Sequence, residues 1–374
     1  MPVPILNSEV KSASSRSVAL DAFRGAAIAL MILVNNGGDT VYPQLEHAAW
    51  NGWTLADTVF PSFLWITGVA LTLALTKRLQ AGASRMDLFL QVCRRSAILY
   101  ALGLLVYAFP YFDGSHIRLL GVLQRIAICF FFSSIIFLTT RLRGQILWIV
   151  GLLVTYWLAM MLVPVPEYGA GNLTMEGNFA HFVDRIVLGR YNYAETATWD
   201  PEGIVSTLPA LATTLFGILA GHILRRKTDL SQRVIRLFIT GNLLVTAGLI
   251  CSFWLPINKK IWTDSFALLM AGIDFVVFAV LVWLIDGLGK KRGIQPLVIL
   301  GTNAITVYMS AELLSATLDT IRLNHMTLHE SVFRTAFAPF ASPANASLLF
   351  SASYVLVMWG FAYALYRRGW FLRI

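Results

Sequence analysis

Charged residues are scarce in this chain: Asp, Glu, Lys and Arg make up 13% of 374 residues, against roughly 25% in an ordinary soluble domain. With 57% hydrophobic residues and a mean hydropathy of +0.67, that shortage excludes a water-soluble globular domain. Cysteine is sparse too. Cys93, Cys129 and Cys251 lie in or beside apolar runs without C-x-x-C spacing, which excludes a disulfide framework and gives no metal site. No second histidine stands at metal-ligand spacing from His47, and no nucleophile elbow surrounds Ser62. Neither a metal hydrolase nor a serine hydrolase is therefore expected. There is no fixed-period repeat and no matched pair of Gly/Pro-broken helices, the usual pointer to a transporter's midplane site. Residues 1–16 are polar and Ser-rich with no short apolar core before a cleavage site, so the first span is expected to serve as the insertion signal.

What is present is a series of apolar runs. Requiring about 20 mainly apolar residues per span, ten helices are expected, over residues 18–35, 57–76, 92–109, 119–138, 146–163, 205–224, 235–256, 264–286, 296–317 and 346–366. The expected fold class is an all-α polytopic membrane helical bundle, with a tail over 1–17 and one transmembrane domain over 18–374. The net charge of +9 does not mark a nucleic-acid binder, because the cations fall in short clusters between the runs. With a cytoplasmic amino terminus, twenty Lys and Arg lie on the inner side and seven on the outer, while Arg24 and Arg125 fall within spans. The positive-inside bias then places both termini in the cytoplasm and His47 on the extracytoplasmic side of an inner membrane. Three outer loops are expected, 36–56, 164–204 and 318–345. The second is acidic, a bias that favours a cationic ligand such as an amine or simply keeps the loop soluble.

The segment 41–61, VYPQLEHAAWNGWTLADTVFP, is the most informative. It holds His47, Trp50, Asn51, Trp53, Thr54 and Asp57 within eleven residues, between two spans. His47 is the side chain whose proton exchange suits neutral pH, and Asp57 is a carboxylate able to orient it. Trp50 and Asn51 are candidate substrate contacts. Asn35, at the outer end of the first helix, either bonds a reacting group or caps the helix. Asp21 and Arg24 share a helical face, as a ligand anchor or as an internal ion pair. Gln124 and Arg125 lie inside the fourth span, and an intramembrane Arg needs an anionic partner in the protein or in a ligand. Asp200 and Glu202 introduce the sixth span. Asn303, Tyr308 and Glu312 are spaced to form a polar stripe on the ninth, and the two lysines of PINKKIW break the positive-inside pattern.

The chain resembles the bacterial branch of the heparan-alpha-glucosaminide N-acetyltransferase family of multispanning acyltransferases. The matching stretches run in order: LDAFRGAAIALMILVN, HAAWNGWTLADTVFPSFLWITG, GVLQRIA, VDRIVLG, DPEGIVSTL, FGILAGHIL, PINKKIW and NAITVYMSAEL. The resemblance implies transfer of acetyl from cytoplasmic acetyl-CoA to an amino sugar across the membrane, by a homodimer without a metal. It puts the active-site histidine on His47 and the nearby asparagine on Asn35. His47 then acts as general base or as a transient acetyl carrier, Asp57 orients it, and Asn35 or Asn51 donates to the thioester oxygen. Trp50, Asn51, Asp200, Glu202, Asn303 and Glu312 are candidates for the acceptor site, and Arg24, Gln124 and Arg125 for acetyl-CoA. The loop between 166 and 195 departs from the animal enzymes, which points away from heparan sulfate and toward glucosamine or another envelope amino sugar. The rival expectations are an amino-sugar transporter, in which His47 gates or couples protons, and a non-catalytic membrane partner.

Overall fold

The computed structural model describes residues 17–112, 117–323 and 325–371. Lys11, Arg16 and Arg373, three of the twenty cations counted on the inner side, lie outside the described residues. In chain order the helices are α1 Val18–Asn35, α2 Leu55–Gln80, α3 Arg85–Ala108, α4 Val122–Thr139, α5 Leu142–Leu162, α6 Phe179–Val187 and α7 Thr207–Leu224. They continue with α8 Leu230–Cys251, α9 Asp264–Val282, α10 Gln295–Thr302, α11 Ala304–Thr320, α12 Leu328–Ala336 and α13 Pro343–Arg367. Two short antiparallel strands, β1 Arg322–Leu323 and β2 Met326–Thr327, pair between α11 and α12. Among the described residues nine helices are long and apolar enough to cross a bilayer, and the bent pair α10 and α11 brings the number to ten if it forms one span. The protein is an all-α polytopic membrane protein.

One expected span is not continuous. Residues 296–317 read as a single helix, but the chain bends by 80° between α10 and α11. The pivot is Asn303, whose φ of −124° and ψ of 36° leave the helical region and whose side-chain amide donates to the Trp370 carbonyl at 3.1 Å. That bond ties the bend to the segment after α13, 67 residues away. The polar stripe is broken with it, since Tyr308 and Glu312 belong to α11 and Asn303 to the bend. The loops also hold more structure than a polar connection requires. Residues 164–204 contain α6, capped by the Asn178 side chain on the His181 N–H, and residues 318–345 contain the β1–β2 hairpin and α12.

Where helices cross, side chains have been removed to let backbones meet. A Cβ on Gly68 of α2 would sit 2.0 Å from the Thr214 carbonyl oxygen, and one on Gly217 of α7 would sit 1.9 Å from that of Trp65. In a membrane this small-residue contact replaces the hydrophobic drive available in water. Beside it the buried Trp65 ring meets Phe23, Phe275 and Phe278 edge-on at 5.2 to 6.0 Å, joining α1, α2 and α9. This rigid centre fixes the end of the bundle at which the 36–54, 163–206 and 252–263 connections gather.

Candidate active site

The site begins as a helix start. Thr54 precedes α2, and its N–H donates to Asp57 Oδ2 at 3.0 Å, a carboxylate in the first turn where the helix dipole favours it. The same oxygen accepts the Ala48 N–H at 3.1 Å. Its partner, Oδ1, lies 2.8 Å from His47 Nδ1. Asp57 is 1% exposed and His47 is 46% exposed, so a fixed buried carboxylate holds an accessible ring. An anionic oxygen at Nδ1 can only accept, which assigns the proton to Nδ1 and leaves the lone pair on Nε2, 3.5 Å from Lys259 Nζ.

A second connection closes over this pair. Gly52, at φ +101°, donates its N–H to the Ile257 carbonyl at 2.7 Å, a backbone conformation that L side chains rarely adopt. Asn258 then gives its side-chain amide to Asn51 Oδ1 at 3.2 Å and accepts from the Ile261 N–H. The next residue, Lys259, reaches back: its Nζ is 3.2 Å from Asp57 Oδ1 and 3.1 Å from His47 Nδ1. Burial pulls the Lys259 ammonium below its ordinary range, against the carboxylates of Asp57 and Glu202, which favour the charge.

Beneath lies a buried ionic network. Arg118 donates from Nε to Asp200 Oδ2 at 2.8 Å, and from Nη2 to Asp200 Oδ1 and Glu202 Oε2. Its Nη1 donates to the Tyr107 hydroxyl, and the guanidinium stacks 4.3 Å above the Tyr193 ring. Burial opposes the charge on Arg118, but Glu202 and Asp200 outweigh it and hold its pKa well above the usual value. Arg125 is fully buried over the Trp262 ring and donates to the Gly203 carbonyl and the Ser206 hydroxyl. Gln124 donates to the Arg118 carbonyl at 3.2 Å. Trp50 donates to the Leu173 carbonyl at 3.1 Å and meets His181 and Trp199 edge-on, so it braces the 36–54 segment against the acidic loop.

Between α1, α2, α3, α4, α10 and α11 runs a cavity of about 390 Å³, lined chiefly by apolar side chains. Arg24, Arg95 and Asn303 line it near the end where α1 begins, and Met31, Phe63 and Leu123 line it toward the end that carries His47. Tyr308 on its wall is within electrostatic reach of Glu312, Tyr107 and Glu202. Arg24 also bonds Asp21 and the Gly301 carbonyl, and Arg95 lies 4.7 Å over the Phe130 ring. Among the described residues no three His, Cys, Asp or Glu side chains converge as metal ligands do.

Compared with known protein families, residues 16–255 match the model described as heparan-alpha-glucosaminide N-acetyltransferase, catalytic. The chain belongs to the heparan-alpha-glucosaminide N-acetyltransferase family. It is 28% identical over 358 residues to the mouse heparan-alpha-glucosaminide N-acetyltransferase, covering 81% of this chain and 54% of that protein. The human protein of the same name is 29% identical over 369 residues, covering 82% of this chain and 55% of its own length. The chain thus spans about half the length of the curated relatives it matches.

Within this family member the structure brings His47, Asp57 and Lys259 together, holds Asn51 to Asn258 beside Lys259, and uses Trp50 as a brace on Leu173. Asn35 is exposed at the end of α1, with its side chain bonded to Glu312; among the described hydrogen bonds none joins it to His47. Asp200, Glu202, Gln124 and Arg125 form the network under the site, in which Arg118 engages both carboxylates while Gln124 Oε1 and Arg125 Nε and Nη1 are buried without a hydrogen-bond partner among the described residues. Arg24 and Asn303 line the cavity. Three participants were not singled out from sequence. Arg118 and Arg95 had been counted only as loop and inner-side charge, and His181 carried no signal apart from its place in the acidic loop. Lys259 did leave a trace, as a cation on the wrong side of the membrane, and it lies beyond residue 255, where the family match ends.

Proposed function

We propose that the protein transfers an acetyl group from acetyl-CoA to the amine of an extracytoplasmic amino sugar, with His47 as general base. The observation that carries this reading is the His47 and Asp57 pair: a fixed carboxylate at 2.8 Å on Nδ1 and the Nε2 lone pair on an accessible ring. The positive-inside pattern puts that pair on the outer face and the Arg24 and Arg95 end of the cavity on the cytoplasmic face. Two guanidiniums at the mouth of an apolar cavity suit the phosphates of a nucleotide, with its pantetheine arm lying along the cavity toward His47.

In this reaction the amine nitrogen attacks the thioester carbonyl while Nε2 takes its proton. The C–N bond forms, the C–S bond breaks, and the proton passes from His47 to the departing CoA thiolate. Proximity supplies much of the rate, because the thioester is already activated. The side-chain amide of Asn51, four residues from His47, is the candidate donor for the developing oxyanion. Acetyl transfer through a transient acetyl-histidine uses the same Nε2.

The test is acetyl transfer in proteoliposomes, with labelled acetyl-CoA on the cytoplasmic face, a panel of amino sugars on the other, and His47→Ala alongside. Product with wild type and none with the variant is the expected result. A transporter reading has one observation in its favour, the helix break at Asn303, since broken helices commonly line transport sites. Counterflow of an amino sugar without acetylation, together with no acetyl-CoA binding, would establish it instead.

A further inference from the structure

Lys259 stands closer to the His47 and Asp57 pair than any role in topology explains. Its Nζ is 3.1 Å from His47 Nδ1, yet that nitrogen already has Asp57 at 2.8 Å. The same Nζ is 3.5 Å from Nε2, so the ammonium lies against the edge of the ring and bears on both nitrogens. Only 18% of the side chain is exposed, a costly place for a cation that has no paired use. The connection that carries it is fixed at Gly52, Asn51 and Thr263, so its reach is built in rather than incidental. Four charged or titratable groups bear on it: Asp57 and His47 from the α2 side, Glu202 from the segment before α7, and Lys260 on its own loop. Glu202 is in turn engaged by Arg118.

We propose that Lys259 is a positioning residue of this site, whose ammonium balances Asp57 so that the carboxylate orients His47 without drawing a second proton onto the ring. Nε2 then stays available as a base. The same positive charge works against binding of the acceptor as an ammonium ion, the form that cannot attack a thioester, and selects the free amine. This inference deepens the acetyl-transfer reading and rests on it.

Two readouts separate the two ideas. The first is carbethoxylation of His47 by diethyl pyrocarbonate, followed by mass spectrometry from pH 5 to 8 in wild type, Lys259→Met, Lys259→Gln and Lys259→Arg. The reagent attacks neutral imidazole and requires no turnover. Removing the ammonium should slow carbethoxylation of His47 at pH 6 by about 3- to 10-fold, with Lys259→Arg remaining near wild type. The second is acetyl transfer, where Lys259→Met should lower kcat by about 10- to 100-fold, leave KM for acetyl-CoA within about threefold, and shift the acidic limb of the pH profile upward. Unchanged His47 reactivity in both neutral variants, with thermal midpoints showing that they fold, overturns the role of Lys259. A wild-type protein that transfers no acetyl group, yet shows the reactivity shift, tells against the acetyltransferase reading and leaves the charge relationship standing.

Discussion

Asp57 serves His47 and helix α2 at once: Oδ1 lies 2.8 Å from the His47 ring, and Oδ2 receives the Thr54 N–H that starts the helix. Asp57→Asn should therefore produce two effects that can be measured apart. Losing the charge-assisted contact to the ring should lower turnover by about 10- to 100-fold, and weakening the cap should cost about 1 kcal/mol of stability. Steady-state kinetics and a thermal melt on the same preparation check both. A lowered melting point with unchanged turnover would make Asp57 a helix cap and nothing more.

His47→Ala should remove transfer by at least about 10²-fold, the usual scale of general acid–base help, while acetyl-CoA affinity stays within about threefold. The ring is half-exposed, so little packing is lost and the melting point should hardly move. Titrating acetyl-CoA into the purified variant by calorimetry separates binding from chemistry. Affinity lost together with turnover would place His47 in the donor site instead.

The spans were legible because the bilayer imposes its own length on apolar runs, and α1 and α2 start close to where composition alone puts them. The dyad was legible for a different reason: His47 and Asp57 are ten residues apart across one helix start, so local geometry nearly dictates their meeting. Lys259 is more than two hundred residues from His47 in sequence, and nothing local announces that the 252–263 connection folds onto 47–57. Arg118 was hidden by its type, because a cation in an outer loop reads as solvated until Asp200 and Glu202 are seen around it. The bend at Asn303 was obscured because polar residues at near-helical spacing read equally well as the face of an unbroken helix.

Arg95→Gln should weaken acetyl-CoA binding by about tenfold, the value of one charge-assisted contact to phosphate, and the loss should shrink as salt is raised. Arg24→Gln should act in the same direction with some loss of stability, because Arg24 also ties α1 to the Gly301 carbonyl before α11. KM for the amino sugar should be unaffected in either variant. Isothermal titration at low and high ionic strength is the measurement, and equal affinity in wild type and Arg95→Gln would move the nucleotide away from this end of the cavity.

On α6, burial shifts two side chains in opposite directions. Burial pushes the His181 imidazole down to about 3 from 6.5, and burial pushes the Asp184 carboxyl up to about 7 from 3.8. The neutral His181 is worth stability above 6.5, and that stability is lost as pH falls toward 3, because the unfolded chain takes up the proton first. Asp184 has the opposite sense. Its contribution is complete below about 4 and is lost as pH rises through 7, since the folded loop resists an ionisation that the unfolded chain undergoes freely. Between about pH 4.5 and 6.5 each slope reaches up to about 1.4 kcal/mol per pH unit, with opposite signs, so their sum in the wild type is small. Asp184→Asn should expose the histidine slope, and its melting point should fall on acidification relative to wild type. His181→Asn, which keeps a donor for the Met175 carbonyl now held by Nδ1, should expose the aspartate slope, and its melting point should rise on acidification by the same comparison. Melting curves of the three proteins at half-unit steps of pH test the pair, and parallel curves for all three would show that neither side chain holds the unusual proton affinity its burial implies.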